Sequence, residues 1–280
     1  MRARAFPDLH QLADPEYFRE LAVGLGHIAK NVEAIDADAR RLAEEKRGRG
    51  ARILDAFAAE EAGKYMILLD TVRCPRNPPE RLYAQLKKAG QHLPKILYSE
   101  LCDIRPVNLA EVKRWVERES QQFYLDGPTG GDWIFRNRMV QSREDTLYVD
   151  YIAAEGDHYW NFPSFMDESM LGLRSSQASV RMVAALSQAG FGAESALPVI
   201  AGLWRPLQIT DDTHTRTLRG WNVETLKALD ARKLLLERPD EDYSLIATEW
   251  PFPLYDLPLK EIPVDPKVLD ASKSSYVEDY

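Results

Sequence analysis

The chain has 280 residues, 45% of them apolar and 29% charged, enough to bury a large core beneath an ordinary charged surface. Two cysteines, Cys74 and Cys102, exclude a disulfide framework and form no CxxC pair for zinc, so a reducing cytoplasm is the expected setting. No run approaches the roughly 20 apolar residues of a membrane span, and the N-terminus lacks the apolar core of a signal peptide, so no membrane partner is expected.

The net charge of −8 is uneven. Residues 239–280 hold ten acids against three lysines, so the rest of the chain is near neutral. Basic clusters lie within that remainder: Arg40, Arg41, Lys46, Arg47, Arg49 and Arg52, then Arg81, Lys87, Lys88 and Lys95. Local patches govern phosphate binding more than net charge does, so RNA stays open as a partner.

In chain order, Asp14-Pro15 opens a first helix, with Asp as cap and Pro suited to the first turn. Phe18, Leu21, Leu25, Ile28, Val32, Ile35 and Leu42 carry its three-and-four spacing to about Lys46. After a break at Gly48 and Gly50, a second helix runs from about Ala51 to Val72 with Leu54, Phe57, Tyr65 and Leu68 on its stripe. The prolines from Pro75 to Pro79 end it. A third helical stretch, Leu82 to Leu101, is divided near His92 by Gly90 and Pro94. Asn108 with Glu111 forms a capping box for a fourth, whose Leu109, Val112, Trp115, Val116 and Phe123 face inward.

Asp126–Gly131 is a loop, followed by a short helix around Trp133–Gln141. The alternating run Thr146–Ile152 and the aromatic run His158–Phe162 predict a β-hairpin near 146–162. Ser164 then caps a helix reaching about Ala189, with further helices near Ala193–Leu203 and Glu224–Glu237. The proline-rich acidic tail from Arg238 is expected at the surface or disordered. The expectation is a mainly α chain: an antiparallel helical bundle with an inserted hairpin over 1–190, and a helical C-terminal extension with its tail over 191–280.

One constellation carries chemistry. In Ala58-Ala59-Glu60-Glu61-Ala62-Gly63-Lys64, Glu61 falls on the apolar stripe while Glu60 and Lys64, four apart, flank it. Charge on a core face is costly unless paired, so these residues predict either a functional site or a buried ion pair that fixes helix packing. His92 and Lys95, three apart beside the helix break, add a group that titrates near neutrality and a cation for phosphate. The bland alternative for His92 is a packed ring with both nitrogens bonded. Glu155-x-x-His158 occurs once and in a turn, which argues against a di-iron site. The acids of Asp211-Asp212-Thr213-His214 fit a helix cap, from Thr210 or Asp211, better than a metal site. Nucleotide-binding and serine-hydrolase motifs are absent, and no cofactor is expected.

The run Arg52-Ile-Leu-Asp-Ala-Phe-Ala-Ala-Glu60-Glu61-Ala-Gly63-Lys64 resembles the motif of the AbiV family of abortive-infection proteins, an alanine-rich helix ending in Glu-Glu-x-Gly-Lys. His92-Leu-Pro-Lys95 is similar to that family's His-x-x-Lys element. Asp145-Thr-Leu147-Tyr148-Val149-Asp150-Tyr151, with Trp160 and Pro163, is similar to its Leu-Tyr-Val-Asp strand and aromatic-then-proline ending. The resemblance spans roughly residues 10–190. It implies a HEPN-like bundle, a homodimer, and a role in anti-phage defence, acting on RNA or translation or binding a phage or host protein. Many HEPN-like proteins are metal-independent RNases built on Arg-x4–6-His. Here the sole such spacing is Arg4-x5-His10, which contains Pro7. The catalytic expectation therefore moves to His92 as acid or base, Lys64 and Lys95 (with Lys88 nearby) on phosphate, and Glu60 or Glu61 orienting them. Tyr148 and Asp150 are the further binding candidates.

Overall fold

The computed structural model describes residues 5–124, 135–154, 157–161, 177–237, 239–265 and 267. Two long helices, α1 (Asp14–Glu44) and α2 (Gly48–Arg73), pack side by side and set the axis of a helical bundle. The chain reverses between them at Lys46, whose φ of 59° is left-handed. Asp14 does not cap α1; Ala13 takes that position. The Asp14 carboxylate instead forms an ion pair with Arg76, Nε standing 2.7 Å away, and accepts Arg205 Nη1 at 2.8 Å, tying the start of α1 to two distant segments. The inner faces are rich in small residues (Ala39, Ala43, Ala51, Ala58 and Ala62 are all buried), whereas Phe57, which the apolar spacing put on the core stripe, is 38% exposed.

From Tyr65 to Arg73 every residue of α2 is buried, the pattern of a helix covered on all sides. Its neighbours are α1, α3 (Pro79–Lys88), α4 (His92–Glu100), α6 (Arg138–Leu147), α7 (Ala178–Gln188) and α8 (Leu197–Trp204). The predicted third helix is thus two, split at Ala89–Gln91. In α5 (Leu109–Ser120), Asn108 accepts Glu111 N at 3.0 Å and Glu111 accepts Val107 N at 2.8 Å, so both capping side chains satisfy free N–H groups. Leu109, Val112, Trp115 and Val116 are buried as expected; the Phe123 side chain lies outside the described ones.

β1 (Gln122–Tyr124) pairs antiparallel with β2 (Phe135–Asn137), and β3 (Asp150–Ala154) with β4 (Asp157–Asn161) in the register Tyr151↔Trp160. Thr146 and Leu147 belong to α6, not to a strand. Asn137 accepts Met139 N and Val140 N, and that cap starts α6 within the helix expected around Trp133–Gln141; the alternation had concealed its continuation to Leu147. Trp133, Phe162, Pro163 and the proposed Ser164 cap fall outside the described residues. Later helices are α9 (Thr215–Asp230) and α10 (Asp240–Glu249). His214, not Thr210 or Asp211, caps α9, its Nδ1 accepting Arg216 N at 3.0 Å.

The largest departure from expectation is the tail. Trp250, Phe252, Leu254, Tyr255, Leu257 and Leu259 are buried, all but Tyr255 in the core cluster that α1, α2 and α7 also feed. A polar network holds this segment on α2. Asp70 accepts Arg73 Nε at 2.8 Å, Tyr98 Oη at 2.7 Å and Leu254 N at 3.1 Å. Arg73 also donates to Pro251 O at 3.0 Å, with its guanidinium packed against the rings of both Trp204 and Trp250. Gln85 bridges Ile67 O and Tyr98. Removing one member of such a buried pair costs about 3–5 kcal/mol, because the other charge is left unpaired. No described helix is long and apolar enough to cross a membrane.

Candidate functional site

The site begins with a backbone approach. A Cβ on Gly63 would lie 1.9 Å from Lys95 O and 2.7 Å from Lys95 C, so only glycine lets α4 come this close to α2. Glu60 and Gly63 are three residues apart and share a helix face, so the contact that needs the glycine also brings the first turn of α4 over Glu60. Gln91 caps that turn in an extended conformation, and Pro94 is tolerated because its missing N–H would have no helical partner there.

Glu60 Oε2 accepts Lys95 Nζ at 2.7 Å and His92 Nδ1 at 2.8 Å. The carboxylate side chain is 6% exposed, the lysine 10%, the imidazole 44%. Burial pushes the Glu60 pKa up and is the largest single influence. The hydrogen bonds from Lys95 and His92, with their charges, outweigh it together, so the carboxyl titrates below its ordinary value. An ionised carboxylate only accepts, so Nδ1 is the donor to Glu60, and whenever the ring holds a single hydrogen it is on Nδ1 and the Nε2 lone pair is left. Among the described residues Nε2 has no hydrogen-bond partner. The result is an oriented, half-exposed imidazole backed by a buried, charge-balanced acid.

The sequence-derived candidates divide sharply. Glu60, His92 and Lys95 converge. Glu60 is the buried acid rather than Glu61, because α4 covers the Glu60–Gly63 face and not the stripe drawn through the large apolar residues. Glu61 and Lys64 pair with each other at 20% exposure. Lys95 faces the Glu60 carboxylate, which makes it a neutralising partner rather than an open phosphate ligand. Lys88 is buried, and its three protons are directed at Gln85 Oε1 (2.9 Å), Leu254 O (2.9 Å) and Tyr255 O (3.1 Å). It anchors the C-terminal segment, with its pKa pushed down to about 8 chiefly by burial. Tyr148 is exposed at the C-terminal cap of α6, a helix that packs on both α2 and α4. Asp150 pairs through its backbone with Asn161, and its side chain is outside the described ones.

Sequence reasoning missed Gly63 as the residue that makes the site. Its signal was present: a glycine inside an otherwise strong helix former, three residues after a charged one. Among the described residues no group of three or more His, Cys, Asp and Glu could hold a metal ion. In comparison with known proteins, the chain matches no family model, no curated protein and no solved structure.

Proposed function

We propose that the protein is an abortive-infection effector of the AbiV type, with a HEPN-like bundle, that acts on RNA in the cytoplasm through His92. The observation that carries this reading is the Glu60–His92 pair: a buried carboxylate orients an imidazole whose Nε2 is left to a substrate. In this mechanism Nε2 takes the proton of a ribose 2′-hydroxyl, the 2′-oxygen attacks the adjacent phosphorus, and the 5′-oxygen leaves with a proton from solvent. The imidazolium formed is stabilised by Glu60. The N-terminus of α4, beside His92, contributes partial positive charge toward the phosphate. The protein acts as a homodimer in this proposal, with no metal.

A second reading is supported by the Glu60–Lys95 bond, which locks α2 to α4 whatever His92 does. There the bundle is a non-enzymatic module that binds a phage or host protein. RNA cleavage by the purified chain, compared with His92→Ala, separates the two. The enzymatic reading expects a loss of about 10²–10⁴ in rate with the fold retained, the melting temperature falling only by the loss of one half-exposed hydrogen bond to Glu60. No cleavage by the unmodified protein on any RNA, alongside retained phage protection in His92→Ala, rules it out.

A further inference from the structure

A cleft of about 260 Å³ lies between the end of α4, the loop before α5, the N-terminus of α9 and the C-terminus of α10. Buried Leu101, Leu218, Trp250 and Phe252 line it, and half-exposed Val107 lines it next to solvent. Three charged side chains also reach it: Arg105, Arg219 and Glu249.

The charges do not balance. Arg105 Nη1 is held by Cys102 O and Ile104 O, each at 3.1 Å, and reaches Glu249 at 3.2 Å. Arg219 Nε donates to Thr248 O at 3.0 Å, but its Nη2 stands 3.9 Å from the Glu249 carboxylate, beyond hydrogen-bond length. Among the described residues neither Nη of Arg219 has a hydrogen-bonded acceptor. Two guanidiniums thus share one carboxylate, and one of them is fixed in place with its fork open. Capping the C-terminus of α10 accounts for the Arg219 Nε bond to Thr248. It accounts neither for the open fork nor for an apolar cleft beside it.

The geometry points to a binding site for a small amphipathic carboxylate, whose apolar body fills the cleft while its carboxylate meets Arg219 and Arg105. A guanidinium fork matches a carboxylate in a bidentate fashion, and an apolar pocket with a few fixed polar groups is the usual form of a small-ligand site. At the low end of ligand-pocket volumes, the cleft suits a short chain or a single ring. The site is separate from Glu60 and His92 and does not depend on their role.

The test is calorimetric titration of the full chain with octanoate, octanol and octylamine at equal ionic strength. Saturable octanoate binding at least tenfold tighter than octylamine is expected. Arg219→Gln should weaken octanoate at least fivefold and leave octanol unchanged. Val107→Asp should weaken octanoate by repulsion. Both substituted side chains are substantially exposed, so the fold is expected to persist, and a thermal melt of each variant checks this. Leu218→Trp, which fills the cleft, should abolish binding of all three. Octanoate that fails to saturate at millimolar concentration overturns the proposal. So does octanoate binding no tighter than octylamine, or octanoate binding indifferent to Arg219→Gln.

Discussion

Replacing Gly63 with alanine should destabilise the protein, although helix propensity alone predicts the reverse. In an unobstructed helix interior, Gly→Ala contributes about 1 kcal/mol of stability. At Gly63 the added methyl would sit 1.9 Å from the Lys95 carbonyl oxygen, and contacts under 3.0 Å are essentially never seen, so α4 must retreat by more than about 1 Å. The obstacle is backbone, which no rotamer change relieves. Overpacking of this kind costs about 1–3 kcal/mol. Movement of α4 also stretches the hydrogen bonds to Glu60, each worth about 1.5–3 kcal/mol because a charge is involved. Taking about 1 kcal/mol for this partial stretching and subtracting the propensity gain, the net loss is about 1–3 kcal/mol. At about 2–4 °C per kcal/mol for large domains, the melting temperature should fall by roughly 2–12 °C. Gly26→Ala is the internal control: nothing lies within 4 Å of its Cβ in α1, so it should melt at or above the unmodified temperature. Thermal and urea denaturation of both variants decide the matter. A Gly63→Ala protein as stable as Gly26→Ala would refute the close approach and the site built on it.

Three further outcomes follow from the buried groups. Because the Glu60 pKa is lowered from its ordinary 4.5 in the folded chain, its stabilisation is full above that value and lost as pH falls through the folded pKa. Glu60→Gln should therefore flatten the acid limb of a stability-versus-pH curve, and an unchanged acid limb would contradict the ion pair. For Lys88 the sign is opposite. Its pKa falls from 10.5 to about 8, so the unfolded chain holds the proton longer and the penalty of the buried ammonium is relieved from pH 8 to 10.5. The stability difference between the unmodified protein and Lys88→Met should grow across that window by up to about 1.4 kcal/mol per pH unit, and a flat difference would show that Lys88 is solvated. Burial pushes both Cys74 and Cys102 up to about 12, so a thiol reagent at pH 8 should label neither in the folded protein and both in denaturant.

The parts of the fold legible in advance were those where spacing and caps agree. Helix α5 is such a case, since Asn108, Glu111 and the apolar set Leu109, Val112, Trp115 and Val116 all point to one element. The α6 boundary was hidden because Thr146–Ile152 alternates like a strand, while the signal that starts the helix is a cap at Asn137, ten residues upstream. The tail misled by composition. Its prolines and acids look solvated, yet Pro251, Pro253 and Pro258 stand between Trp250, Phe252, Leu254, Leu257 and Leu259. Proline lacks an N–H, so an extended proline-rich segment enters a core with fewer donors to satisfy. At the site, Glu60, His92 and Lys95 were chosen for their chemistry and do meet. Glu60 and Glu61 were not told apart, with Glu61 on the stripe and Glu60 beside it, because the stripe was drawn through large side chains, whereas the first half of α2, up to Gly63, buries mainly alanine and glycine. Lys88 looked like an open cation because neither Leu254 nor Tyr255, 166 and 167 residues downstream, gives any local sign of reaching it.

The anchoring of Trp250–Leu259 on α2 bears on the order in which the chain matures. Asp70, Arg73, Tyr98 and Lys88 are made early, but the backbone groups that satisfy them belong to residues 251–255, made late. A growing chain carries these charges at the C-terminal ends of α2 and α3 with nothing to close over them. Domains usually fold as they emerge, N-terminal parts first; here the segment that closes over α2 is made long after α2 itself. Shortened products ending before Trp250 would expose both the charges and the apolar groove that the tail fills, marking them for chaperones and proteases, so that truncated synthesis leaves little folded protein behind.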